Sequence, residues 1–291
     1  MKSVIRFFKY TVIFLLLGIL VPIMLLMGIE KSSRFFSWGS MKIGPKLKRH
    51  NVVLRNLELC FPEKEESERK TLAVKTWSNL GAIFGEMLFF KLMSEKEFRK
   101  RVKIEDDVGC INAGAKIIAI SHISNFEIFT NLPKFLKIFM HCLYSRSKNK
   151  ITEKLVSWLR QRPYLSLHAN DGHNGLKAFI NALQKHEMIW MLVDQESSKG
   201  VGIETKLFRH NVKTTSLPAQ LALKYSAPIY MVRVIRTGVA RYTIRSENFT
   251  ITPEDTIQSI TQNINNKIEE WVREYPEDWA WLHKRFDKSL Y

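Results

Sequence analysis

The run Thr11–Ile29 holds 19 residues without a single charge, close to the ~20 apolar residues a helix needs to cross a bilayer core. Lys2, Arg6 and Lys9 precede it, and Lys31, Arg34, Lys42, Lys46, Lys48 and Arg49 follow. The larger positive count on the C-terminal side places that side in the cytoplasm by the positive-inside tendency. A cleaved signal peptide fits less well, because its apolar core is usually ~7–15 residues long. Gly28-Ile29-Glu30-Lys31 also lacks the small-residue pattern of a cleavage site. The expectation is an uncleaved transmembrane or membrane-anchoring helix. Phe35, Phe36 and Trp38 lie among the basic residues that follow. They suit either the headgroup level of a membrane or an amphipathic helix packed on the rest of the protein.

Charge narrows the partners. Lys+Arg 45 against Asp+Glu 28 gives +17, which favours anionic partners such as acidic lipid, phosphorylated metabolites or an acidic protein. Nucleic acid is set aside, since no nucleic-acid module is recognisable and the basic residues are spread rather than striped. Cys60, Cys110 and Cys142 are odd in number and far apart. They offer neither a disulfide framework nor, with the histidines, a zinc spacing, so no metal is expected. His168 and His173 lack cysteine or carboxylate companions at metal spacing.

After the charged entry Glu63–Lys70, apolar residues recur with helical period from Leu72 to Leu92. From about residue 115 the pattern changes. Short apolar runs at Lys116–Ile120, Met140–Tyr144, Tyr164–His168, Met188–Val193 and Pro228–Ile235 read as strands, with helical segments between most of them. A long helix is expected over Pro253–Arg273. That alternation predicts an α/β fold with a mostly parallel central sheet flanked by helices, preceded by the N-terminal membrane helix. Residues 1–49 are therefore read as anchor and interfacial segment. Residues 50–291 are read as one domain, with a helical lead-in at 50–105 and an α/β core at 106–291.

The stretch His122-Ile123-Ser124-Asn125-Phe126-Glu127 follows the first expected strand. A histidine can strip a proton from an attacking hydroxyl while a carboxylate holds its tautomer. Five residues along a continuous helix lie about 140° apart, so His122 and Glu127 can meet only with His122 in the turn and Glu127 in the first helical turn. Ser124 and Glu127 have the spacing of a capping box that would start a helix at Asn125. Glu127 is thus open to two roles, a helix cap or the partner of the histidine. Asp194-Gln195 follows another expected strand, and ligand sites in open α/β sheets gather beyond the carboxyl ends of strands. One cleft shared by His122 and Asp194 follows. No G-x-S-x-G elbow occurs, so a covalent acyl-enzyme is not expected.

Beyond these local readings, the chain resembles the bacterial lipid A biosynthesis (lauroyl/myristoyl) acyltransferases along nearly its whole length. The residues carrying the resemblance begin with Arg55-Asn56-Leu57, Phe61-Pro62-Glu63, Trp77-Ser78-Asn79-Leu80-Gly81 and Glu86. They continue through the H-x4-E box, Tyr144, Arg146, Asn149, Leu159-Arg160 and Val193-Asp194-Gln195. Thr214-Thr215-Ser216-Leu217-Pro218-Ala219 and Trp281-Leu282-His283-Lys284-Arg285-Phe286 complete it. The resemblance implies transfer of a fatty acyl chain from an acyl carrier protein thioester, as co-substrate and without a further cofactor, to a hydroxyl of a lipid A precursor. It implies His122 as general base, Glu127 as its partner, and Arg160, Asp194, Gln195 and Arg146 as substrate-binding residues in the acyltransferase domain. With the N-terminal helix and its flanking charges, the expected location is the cell inner membrane, with the catalytic domain on the cytoplasmic face. Expected partners are acyl carrier protein, the anionic precursor and membrane lipid. From Ile128 to Asn170 Glu153 is the single acidic residue against eight Lys+Arg, a basic face that suits those partners.

The chain departs from the family pattern in two places. Ser145 stands between Tyr144 and Arg146, and Leu207-Phe208-Arg209-His210 replaces a Phe-Phe-Gly-like stretch. Two other readings compete. A glycerophospholipid acyltransferase uses a similar H-x4-D box but carries Phe-Pro-Glu-Gly downstream of the histidine, whereas Phe61-Pro62-Glu63 lies upstream and lacks the glycine. The other is a non-catalytic basic protein of the membrane surface.

Overall fold

In the computed structural model the backbone is described for residues 2–147, 149–170, 173–195 and 202–291, and the side chains from residue 18 onward, Ile19 excepted. Four helices open the chain: α1 (Lys2–Ile43), α2 (Arg49–Cys60), α3 (Glu66–Leu92) and α4 (Glu95–Arg101). The strands β1 (Val102–Glu105) and β2 (Lys116–Ile120) follow, then a 3-10 turn at Phe126–Asn131 and the short α5 (Leu132–Leu136). Next come β3 (Met140–Tyr144), α6 (Lys150–Arg160), β4 (Leu165–Ala169), α7 (His173–Gln184) and β5 (Met188–Leu192). The chain continues with β6 (Gly202–Leu207), β7 (His210–Thr215), α8 (Leu217–Tyr225), β8 (Ile229–Gly238), β9 (Arg241–Phe249) and α9 (Ile257–Glu274).

The main sheet has seven strands in the order β1-β9-β8-β2-β5-β3-β4. Every neighbouring pair runs parallel except the β8–β9 hairpin. The expected α/β architecture and mostly parallel sheet are present. Its central strands are apolar on both faces, as a sheet covered by helices on both sides requires. Ile117 and Ala119 face one core with Ile189, Met231, Phe179, Ile264 and Trp271. The alternate residues Ile118 and Ile120 face the other, with Trp190, Val232, Phe90, Phe98 and Phe129.

The expected membrane-spanning helix is corrected. Among the described residues, no helix is long and apolar enough to cross a membrane, and the part of the run up to Leu17 lies outside the described side chains. The inner-membrane location with a cytoplasm-facing domain rested on that span and falls with it. The part of α1 after Gly28 packs on the protein, whereas Ile23, Leu25 and Leu26 before it are exposed. Gly28 breaks its helical backbone (φ 74°, ψ 167°), and the turns beyond it pack along α3. Gly81 and Gly85, one turn apart on α3, have no Cβ to hold the helices off, and the backbone oxygens of Phe36 and Ser32 come up against them. Ser32 Oγ donates to the Gly85 carbonyl (2.9 Å) and Ser33 Oγ to Glu86 Oε1 (2.7 Å). Phe36 meets Phe84 edge to face. Of the two readings for the aromatic segment, packing on the protein is the one Phe36 follows.

A second difference is local. Instead of one helix starting at Asn125, the chain forms the 3-10 turn and then α5, with Asn125 at the cap position and no side-chain cap. Ser124 takes φ 53°, its hydroxyl is buried without a hydrogen-bond partner among the described residues, and the S-x-x-E capping box does not form.

Candidate active site

Because β2 and β5 are adjacent and parallel, their carboxyl ends project to the same edge of the sheet. His122 leaves the end of β2 and Asp194 the end of β5. Asp194 is 2% exposed, and its two oxygens divide their work. Oδ1 lies 2.7 Å from His122 Nδ1, while Oδ2 accepts the His122 backbone N–H (2.9 Å) and the Trp279 indole N–H (2.7 Å). Burial alone would raise this carboxyl. The charge and hydrogen bonds of His122, with the Trp279 bond, override it and hold the group at about 2.

With Nδ1–H donated to an ionised Asp194, the ring presents its lone pair at Nε2. Gln195 Nε2 lies 3.1 Å from that atom and donates to it. Phe126 packs edge-on against the ring, 4.8 Å between centroids. His122 and Gln195 line a small recess whose walls include Asn56, Ala280, His283 and Arg285. His283 stands 6.3 Å from His122, ring to ring. Burial and then the charge of His122 lower its basicity, so it adds no fixed positive charge near neutral pH.

The loop carrying His122 is clasped from outside the sheet. Ile123 forms an antiparallel bridge with Trp279. The Ser124 N–H donates to the Asp278 carbonyl (2.8 Å), and the Ala280 N–H donates to the His122 carbonyl (3.0 Å). From α2, Asn56 Nδ2 donates to the Trp281 and His283 carbonyls and fixes the next turn of that segment.

Glu127 has a different partner from the one expected. Arg160, at the end of α6, donates Nε to both of its oxygens (3.0 and 2.9 Å) and Nη2 to Oε1. Burial of the guanidinium lowers its basicity, but the Glu127 carboxylate beside it raises it further. Beside this pair, Arg162 is lowered to about 10, chiefly by burial, and its Nε donates to Asn131 (2.8 Å). The structure therefore joins His122 with Asp194 and Gln195, and Glu127 with Arg160. Arg146 is exposed on the loop after β3 and lies outside the recess. His168 belongs to β4, where its ring stacks on His141 of β3.

The roles of three contributors escape a sequence reading. The Trp279 bond to Asp194 joins residues 85 positions apart, and a tryptophan near a terminal helix reads as packing. Asn79 and Glu86 of α3 both reach this region. The sequence shows them as two polar residues seven apart in an apolar helix, and the family resemblance includes both without giving either a role.

The sequence profile described as bacterial lipid A biosynthesis acyltransferase matches residues 2–288. The lipid A biosynthesis palmitoleoyltransferase of Escherichia coli (strain K12) is 27% identical over 266 residues, covering 85% of this chain and 84% of the relative. The lipid A biosynthesis lauroyltransferase of the same organism is 23% identical over 256 residues, covering 85% and 82%. Among solved structures, the 1-acyl-sn-glycerophosphate acyltransferase of Thermotoga maritima matches at 12% identity and a TM-score of 0.39, over 78% of this chain and 97% of the other. That likeness is too distant to bear on the site.

Proposed function

Since this chain belongs to the bacterial lipid A biosynthesis acyltransferase family and is an acyltransferase of lipopolysaccharide biosynthesis, we propose that it moves a fatty acyl chain from acyl carrier protein to a hydroxyl of a lipid A precursor. His122 acts as general base. The observation that carries this reading is the 2.7 Å contact between His122 Nδ1 and the buried Asp194, with Nε2 turned towards the recess.

The acceptor hydroxyl takes the place of the Gln195 amide at His122 Nε2. As its oxygen attacks the thioester carbonyl carbon, its proton passes to Nε2, and Asp194 stabilises the imidazolium. The tetrahedral intermediate then expels the carrier thiolate, which takes the proton back from Nε2, and the new ester is released. A direct transfer of this kind needs no nucleophilic side chain. Glu127 fixes the Arg160 guanidinium through Nε and Nη2, leaving Nη1 outside the pair. Arg160 so held supplies positive charge for the thioester oxyanion or a precursor phosphate. Gln195, displaced from Nε2, is placed to donate to the acceptor oxygen. Arg146, exposed near the acidic Glu153, is assigned to drawing in the anionic carrier rather than to the reacting atoms.

The test is purified protein with a panel of acyl carrier protein thioesters and a lipid A precursor, read by mass. The expected product carries one added acyl ester, and His122→Ala abolishes it while the protein melts normally. Wild-type turnover by His122→Ala would overturn the assignment. Transfer to lysophosphatidate in preference to the precursor would overturn the acceptor.

A further inference from the structure

The His122 loop and the segment that clasps it are both gripped by α3. Asn79 and Glu86 lie seven residues apart, so they share one stripe of that helix. Glu86 is 0% exposed, yet its carboxylate gathers four donors from four different parts of the chain. These are Ser33 Oγ of α1 (2.7 Å), Arg236 Nη1 of β8 (2.8 Å), the Tyr242 hydroxyl of β9, and Asn125 Nδ2 of the His122 loop (3.0 Å). Asn79 Nδ2 donates to the Glu277 carbonyl (3.1 Å) and Asp278 Oδ1 (2.5 Å). Asp278 accepts from Ser124 N–H through its own carbonyl, and its neighbour Trp279 donates to Asp194.

Packing alone does not account for this arrangement. A carboxylate taken wholly out of water is costly, and an apolar side chain of similar volume fills such a site at no electrostatic cost. The loop that Glu86 holds is itself strained. Ser124 sits at φ 53°, an uncommon conformation for a residue with a Cβ, and such conformations persist where surrounding contacts over-determine them. Asn125, directly after Ser124, is 0% exposed, and its amide reaches Glu86.

We propose that Glu86 is a positioning residue for acyl transfer, fixing the loop that carries His122 through Asn125, with Asn79 holding the clasping segment through Asp278. The proposal rests on the reading of His122 as general base. A base displaced by about 1 Å from its attack geometry loses on the order of 10² in rate, so the effect belongs in kcat rather than in substrate affinity.

The decisive variant is Glu86→Gln, nearly isosteric. Its one oxygen still serves Arg236 and Ser33, but the acceptor of the Tyr242 hydroxyl and of the Asn125 amide is replaced by an NH₂, which Asn125 can meet only by turning its amide over. Turnover is expected to fall at least ~10-fold, with KM held within about twofold and a cooperative melt retained. The double variant Glu86→Gln/Asn125→Asp reverses the bond, with the glutamine amide donating to the new carboxylate, and is expected to recover most of kcat. A purely structural role would show Glu86→Gln losing melting temperature and activity together, with no recovery in the double variant. That result, or wild-type kcat in Glu86→Gln, would overturn the proposal. If Glu86→Gln does not fold, Asn79→Ala carries the test: a fall in kcat at constant KM is expected, and unchanged kcat overturns it. His122→Ala run in parallel separates the two failures. Its wild-type turnover defeats the general-base reading, whereas an inactive His122→Ala beside a fully active Glu86→Gln defeats only the role of Glu86.

Discussion

The carboxylate that orients His122 comes from the end of the neighbouring strand, 72 positions along the chain, while the one five residues away is held by an arginine. The division is understandable from charge. Asp194 is ionised because burial, which would raise it, is overridden by His122, and it stays ionised until the pH falls to about 2. Its folded value lies below the ordinary ~3.9, so the stability it contributes is present above that value and is lost as pH falls through about 2. Across any working pH it therefore remains an acceptor that selects the Nδ1–H tautomer. Asp194→Asn keeps the shape but can offer Nδ1 an amide N–H instead. By analogy with the carboxamide substitution in a catalytic triad, kcat is expected to fall by roughly 10²–10⁴, measured as steady-state turnover with KM determined alongside. A loss below about threefold would show that tautomer selection by Asp194 is dispensable.

Among the elements, α3 does the most to arrange the site, and the Gly81/Gly85 pair decides how closely α1 approaches it. A methyl at Gly81 would overlap the Phe36 carbonyl oxygen and the Ser40 side chain. Backbone cannot yield as a flexible side chain does, so Gly81→Ala is expected to cost about 1–3 kcal/mol, the usual range for overpacking, read by chemical denaturation. Stability within 0.5 kcal/mol of wild type would mean that the helices part freely there. The strands and long helices were legible because their apolar periods are strong. Asp194 and His122 could be put in one cleft because strand ends mark ligand sites in such sheets. The capping box was misleading for a physical reason: Arg160 claims both Glu127 oxygens, and Ser124 adopts a left-handed backbone in place of a cap geometry. Nor could spacing reveal the partner of Glu127, which lies 33 residues away on a helix whose docking depends on the whole sheet.

On the scale of the whole molecule, the clasp has a signature in pH. Burial first, and then the charge of Glu277, push the Asp278 carboxyl up to about 6 against the pull of Arg236. A carboxyl raised on folding binds more protons in the folded state. It costs stability above about 6, and that cost fades as pH falls towards its unfolded value near ~3.9. Asp278→Asn keeps an acceptor for Asn79 and removes the buried charge. It is expected to raise stability at pH 8 by up to about 2–3 kcal/mol, a gain that narrows towards pH 4, as followed by thermal melts across that range. An equal gain at both ends would refute the titration of Asp278 as its source. The bridge between Ile123 and Trp279 also sets an order of events. The two partners are separated by about 150 residues that contain five of the seven strands of the main sheet, and contacts of such long sequence separation are slow to form. A chain emerging from the ribosome carries His122 long before it carries the segment that holds it. The His122 loop thus stays unclasped until residues 278–280 have been made and docked.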